Sequence, residues 1–315
     1  MQFLHFMTNP FMIDSGGRYC VRPIASLNSL IFRNTDALPR NIVNKSGYDL
    51  LSREAVLRLN EVYRDKAIPN EYGINLGKFL LGLTSGNPEI VEQPNWGPEH
   101  YRFWQGVKKV VLGGGTMNGI FGEVAVVMAE SYLQAYGREI ELIRDPDPSH
   151  IPVCGLSRLA EGESVLAIDF GNTKIKSAYA TVEDRVVKSI SIGRTLDASD
   201  ASESMGVDNL VETINEFSLE NPESDEIGIA IASYVVGGFV QSDRGKYGKF
   251  YGQDIQTTLS EKIGKNVYVV HDGTAAGTWY ANTIDRAVVV MLGTAIGWSP
   301  IFYDPRLCDV DPELR

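Results

Sequence analysis

The 315-residue sequence predicts an α/β fold in two lobes, each a mixed sheet with flanking helices. Three observations lead to this reading. Two short apolar runs, at 165–168 and 287–292, each feed a glycine turn and then a second strand-like stretch, so both read as strand–turn–strand hairpins. A run at 107–112 ends in Gly113-Gly114-Gly115-Thr116 and passes into a long, largely apolar helical stretch at 120–136. A further run at 267–270 delivers His271-Asp272-Gly273-Thr274-Ala275-Ala276-Gly277, whose small residues let a helix begin close to another group.

The remaining elements follow in order. Spacing of three and four marks a helix over Leu51, Ala55, Leu59, Val62 and Tyr63, and a second at 74–83. A strand is expected within 20–32. The aromatic group Trp96, Tyr101, Phe103 and Trp104 reads as core or as a subunit contact, the latter in a homodimer. A strand at 139–143 and a helix at 153–159 precede the central hairpin, and a third strand at 185–192 follows it. Beyond a polar loop come a helix at 207–217, a strand at 227–232, and a helix capped by Asp254 that runs to Ile263.

Composition narrows the function. The formal charge of −11, with no basic run, excludes a nucleic-acid surface. Cys20, Cys154 and Cys308 are odd in number and far apart, which fits neither a disulfide framework nor a CxxC metal site. No apolar stretch reaches the roughly 20 residues of a membrane helix. Residues 1–13 lack the basic start of a signal peptide, so a cytoplasmic protein is expected.

The chemistry concentrates in 164–176. Asp169 closes an apolar strand, Gly171 allows a tight turn, and Asn172, Thr173 and Lys174 follow. A carboxylate, backbone amides, a hydroxyl and an ammonium on one tip suit nucleotide phosphates and Mg²⁺, although a plain polar hairpin has the same pattern. Gly293 and Thr294 offer a second tip of this kind. Asp272, at a strand end, reads either as general base toward a substrate hydroxyl or as a helix cap.

Together these pieces resemble the actin-like ATPase superfamily, the ribonuclease H-like fold shared by sugar kinases, Hsp70 and actin. Asp169-Phe-Gly-Asn-Thr-Lys174 is similar to its first phosphate loop, Leu292-Gly-Thr-Ala-Ile-Gly297 to its second, and Leu112-Gly-Gly-Gly-Thr116 to its adenosine loop. The segment 227–281 resembles ROK-type sugar kinases. The resemblance implies ATP and Mg²⁺ as cofactors and a small molecule, most naturally a sugar, as substrate. It implies Asp169 at the metal and Gly171, Asn172, Thr173, Lys174, Gly293 and Thr294 at the phosphates. Gly114 and Gly115 fall at adenosine, Asp272 becomes the base, and Gly237, Gly238 and His271 lie at the substrate.

The motif order departs from the family, with the triple glycine ahead of Asp169, and this implies a circular permutation. Residues 161–283 would then form the first lobe, as strand, strand, strand, helix, strand, helix, strand, helix. Residues 284–315 would open the second lobe, and 1–160 would supply its greater part. The Cys/His zinc cluster and the Glu-Gly-His element of ROK kinases are absent, and His271 stands where that family tends to have Asn. A non-catalytic nucleotide sensor or scaffold is therefore the alternative to a kinase. Asp169-Phe-Gly-Asn-Thr also resembles the opening of type III pantothenate kinases, which makes a related enzyme a further alternative.

Overall fold

The computed structural model describes residues 12–13, 19–20, 67–85, 91–92, 97–198, 205–243, 245–293 and 296–314. The helix expected from Leu51 to Tyr63, most of the strand expected within 20–32, Trp96 and Thr294 lie outside them. The chain runs through α1 (Ala67–Ser85), α2 (Pro98–Gly106), β1 (Lys109–Gly113), α3 (Gly119–Ala135), β2 (Glu141–Arg144) and α4 (Ile151–Ser157). It continues through β3 (Ser164–Phe170), β4 (Lys174–Glu183), β5 (Val186–Asp197), α5 (Val207–Ser218), β6 (Glu226–Ile231) and α6 (Ile255–Ile263). The last elements are β7 (Asn266–His271), α7 (Asp272–Tyr280), β8 (Ala287–Leu292), β9 (Ile296–Pro300) and β10 (Asp309–Val310). No helix among the described residues is long and apolar enough to cross a membrane.

These elements fall into two units, which the chain visits alternately. Unit one is 1–149 with 284–298, and unit two is 150–283 with 299–315. In unit one the sheet order is β9-β8-β1-β2, with β8, β1 and β2 parallel. Val110, Val111 and Leu112 of β1 and Val288, Val289 and Val290 of β8 are fully buried, which explains why both strands read as continuous apolar runs. Outside the sheet α1 packs on α3, with Tyr72 and Phe121 edge to face at 5.2 Å. Trp104 is fully buried against Trp298, ring centroids 4.9 Å apart, so this part of the aromatic group is core.

Unit two is built on a sheet of order β7-β6-β3-β4-β5-β10. β3, β4 and β5 form an antiparallel meander, while β6 and β7 add in parallel beside β3. The succession β3, β4, β5, α5, β6, α6, β7, α7 follows the order expected within 161–283, with an added hairpin of Val235–Val236 and Phe239–Val240 between β6 and α6. Period-two alternation sorts the two faces. Leu166, Ile168 and Phe170 of β3 join Ile229, Ile231, Ile214, Phe217 and Leu259 in a large core. On the opposite face Ala167, Ala178 and Ala230 are small, and Val153, Leu156 and Ala275 of α4 and α7 lie on them. Asp254 caps α6 as expected, its carboxylate accepting the Thr257 amide at 3.0 Å.

The helix expected at 153–159 is α4 and packs in unit two, because Gly155 lets it reach the α7 backbone: a β-carbon on Gly155 would stand 1.7 Å from Ala275 O. One turn later, Arg158 is fully buried and secures α7's end. Its guanidinium donates to the carbonyls of Thr278, Ala281 and Cys308 at 2.8, 2.7 and 2.7 Å. Acceptors orphaned at a helix C-terminus are thereby satisfied, and the 299–315 segment is tied in.

Candidate active site

Parallel strands β3, β6 and β7 end on one edge of the unit-two sheet, and two carboxylates stand there. Asp169 is in register with Ala230 of β6, and Ala230 with Val270 of β7. In-register residues of parallel strands share a face, so Asp169, Ala230 and Val270 lie on one face of the sheet. His271 is the residue before α7, and Asp272 is the helix's first. On the other side of Asp169 its antiparallel partner is Lys176.

Asp169 is 4% exposed. Its Oδ2 is 3.1 Å from Lys176 Nζ, while Oδ1 is buried and has no hydrogen-bond partner among the described residues. Burial pushes this carboxyl upward, Lys176 opposes the rise, and the Asp272 charge adds to it. Asp272 moves the other way. Burial raises it, but His271, the Gly273 amide and Lys176 outweigh burial and hold it below the usual carboxylate range. Its Oδ1 lies 3.0 Å from His271 Nε2 and accepts the Gly273 N–H at 2.6 Å. The His271 ring stacks on Tyr234, centroids 5.0 Å apart, and its Nδ1 is buried without a partner among the described residues.

The hairpin tip is anchored by Tyr247, a fully buried residue that sequence reasoning missed. Its hydroxyl donates to the carbonyls of Phe170 at 2.6 Å and Gly171 at 3.3 Å, and burial with the two carboxylates pushes its phenol well up. Asn172 and Thr173 are half-buried in the turn, where the Thr173 carbonyl accepts the Ala198 amide at 2.9 Å. Lys174 pairs with Asp197, its cross-strand neighbour. Lys176, which sequence reasoning left without a role, is the lysine that meets Asp169. A loop of three residues between Phe170 and Lys174 sets this register, and that is the signal that could have found it.

Gly237 and Gly238 also belong to unit two. With φ of 57° and 86° they form the two-residue turn between the antiparallel strands Val235–Val236 and Phe239–Val240, and a β-carbon on Gly238 would stand 2.8 Å from Asp254 Oδ1. Tyr234, just before that hairpin, is the residue that reaches His271.

Unit one gathers the other glycines. Gly114 has φ 91°, and a β-carbon there would stand 2.4 Å from Leu292 O, so the ends of β1 and β8 press together. Gly115 and Gly293 face open space. Asn118, ahead of α3, donates to Gly115 O at 3.0 Å and to Ser149 Oγ at 2.7 Å and braces the loop.

Among the described residues there is no group of three His, Cys, Asp or Glu arranged to hold a metal ion. Mg²⁺ commonly takes one or two carboxylates, several waters and substrate phosphates, and the unpartnered Asp169 Oδ1 fits that demand.

The unit-two meander with two added parallel strands is a ribonuclease H-like sheet. Solved structures similar to this chain include several sugar kinases, an ethanolamine utilization protein and a transcriptional regulator. One is a ROK family glucokinase from Streptomyces griseus in complex with glucose and AMPPNP, at 19% identity, TM-score 0.33 and 43% coverage of each chain. Another is the ethanolamine utilization protein EutJ from Carboxydothermus hydrogenoformans, at 10% identity and TM-score 0.35, covering 66% of this chain and 73% of that one. A third is a ROK family transcriptional regulator homologous to the Escherichia coli MLC protein, at 12% identity and TM-score 0.28, covering 64% and 46%. This chain spans 35% to 60% of the length of the sugar kinases it matches. No family model matches it, and no curated protein does.

Proposed function

We propose that this protein is an ATP-dependent phosphotransferase acting on a hydroxyl of a small molecule, with a sugar as the favoured class. The observation that carries the reading is the carboxylate pair at one sheet edge, Asp169 buried with an unsatisfied oxygen and Asp272 held ionised beside it. Phosphoryl transfer requires positioning and charge neutralisation more than covalent chemistry, and such a pair divides the work. Asp169 would hold Mg²⁺ through water, and the metal when bound would neutralise phosphate charge. Asp272 would accept the hydroxyl proton as that oxygen bonds to the γ-phosphorus; the bond from phosphorus to the β,γ-bridging oxygen breaks, and ADP leaves. Gly171, Asn172 and Thr173, half-buried in the unit-two turn, are offered to the phosphates.

The test is ADP release from Mg·ATP across hexoses, amino sugars and pantothenate, with Asp272→Asn alongside. Saturable, substrate-dependent release that falls at least about a hundredfold in the variant, with ATP binding unchanged, is expected. Turnover retained in Asp272→Asn would remove Asp272 from the base role.

One observation favours a second reading, a nucleotide sensor without transfer. Asp272 Oδ1 is already engaged by His271 and by the Gly273 amide, and a carboxyl held low is a weak base. ATP that raises the melting temperature without turnover of any compound would select this reading.

A further inference from the structure

Lys176 is the ammonium that both carboxylates feel. Its Nζ lies 3.1 Å from Asp169 Oδ2, and its charge acts on Asp272 as well. Lys174, two residues earlier on the same strand face, is engaged by Asp197. Asp169 therefore has a tethered monovalent cation on one oxygen and no hydrogen-bond partner among the described residues on the other. A hydrated divalent ion answers the same need with twice the charge, but two cations a few ångströms apart repel each other. The Lys176 side chain is 19% exposed against 6% for Asp169, so the ammonium has a route to water and the carboxylate has little.

We propose that Lys176 is the resident cation of the Asp169–Asp272 pair, holding Asp169 Oδ2 in the nucleotide-free protein and opposing Mg²⁺ there, so that metal enters with nucleotide phosphates and not alone. This rests on Asp169 as the metal-holding carboxylate. Phosphate oxygens bring the additional negative charge that lets ammonium and metal share one carboxylate.

The experiment is calorimetric titration of nucleotide-free protein with MgCl₂ alone. Lys176→Met is expected to bind Mg²⁺ about tenfold more tightly than wild type, the change a unit charge some 6 Å from a divalent ion produces even at the dielectric of water. Lys176→Arg restores the wild-type affinity. Lys188→Met, which removes a lysine paired with Asp311, leaves it unchanged. If Lys176→Met does not fold, Lys176→Gln keeps a donor to Asp169 without the charge and has the same expected direction. Affinity equal to or weaker than wild type in the folded neutral variant overturns the proposal. Because the titration contains no substrate, a wild type that turns over no compound sinks the phosphotransferase reading while leaving this one standing.

Discussion

Asp169, near the end of β3, and Asp272, just after β7, belong to strands two places apart in one sheet, yet their surroundings move their acidity in opposite directions, and their effects on stability differ accordingly. Asp272 is held low, so its stabilisation is present above the unfolded carboxylate value and is lost as pH falls through its folded one. Asp169 is raised, so its charge disfavours the fold at neutral pH, and that penalty is relieved as pH falls through its folded value. Asp169→Asn is therefore expected to stabilise metal-free protein at pH 7. The loss of its partner does not reverse this sign, because Lys176 retains Asp272 and a path to solvent. A rise in Tm should appear in a melt without Mg²⁺. A Tm lower than wild type would mean that the ion pair outweighs burial.

At the scale of elements, the face that carries these carboxylates depends on how closely α4 and α7 approach. Gly155→Ala places a methyl where Ala275 O stands and so pushes on the helix whose first residue is Asp272. Overpacking of this kind costs about 1–3 kcal/mol, so Tm should fall by several degrees and turnover with it. The strands that position the site were legible because buried parallel strands are continuous apolar runs, and Asp169 and Asp272 were legible because each closes one. The choice between Lys174 and Lys176 was not, since both lie on one face of β4 and only the hairpin register separates them. Gly155, Arg158 and Tyr247 were also invisible: each acts on a backbone group far away in sequence, which periodicity does not report.

At the scale of the whole molecule, residues 284–315 serve both units. β8 lies beside β1 inside the unit-one sheet, while Cys308 O accepts from Arg158 and β10 extends the unit-two sheet. Truncation after Thr283 should therefore damage both units at once. It would leave an edge of β1 unpaired and remove one acceptor of a buried guanidinium, losses in the several-kcal/mol class together. The truncated chain is expected in the insoluble fraction, with any soluble remainder melting well below the full chain. A soluble fragment with an unchanged melt of the 150–283 portion would contradict this dependence.

The same strand order has a consequence during synthesis. β1 leaves the ribosome some 170 residues ahead of β8, its neighbour in the finished sheet. At about 5–20 residues per second the nascent chain carries that apolar edge for roughly ten to thirty seconds before its partner exists. Chaperones that hold nascent chains have their longest task here, and a pause in translation between codons 150 and 284 would lengthen it.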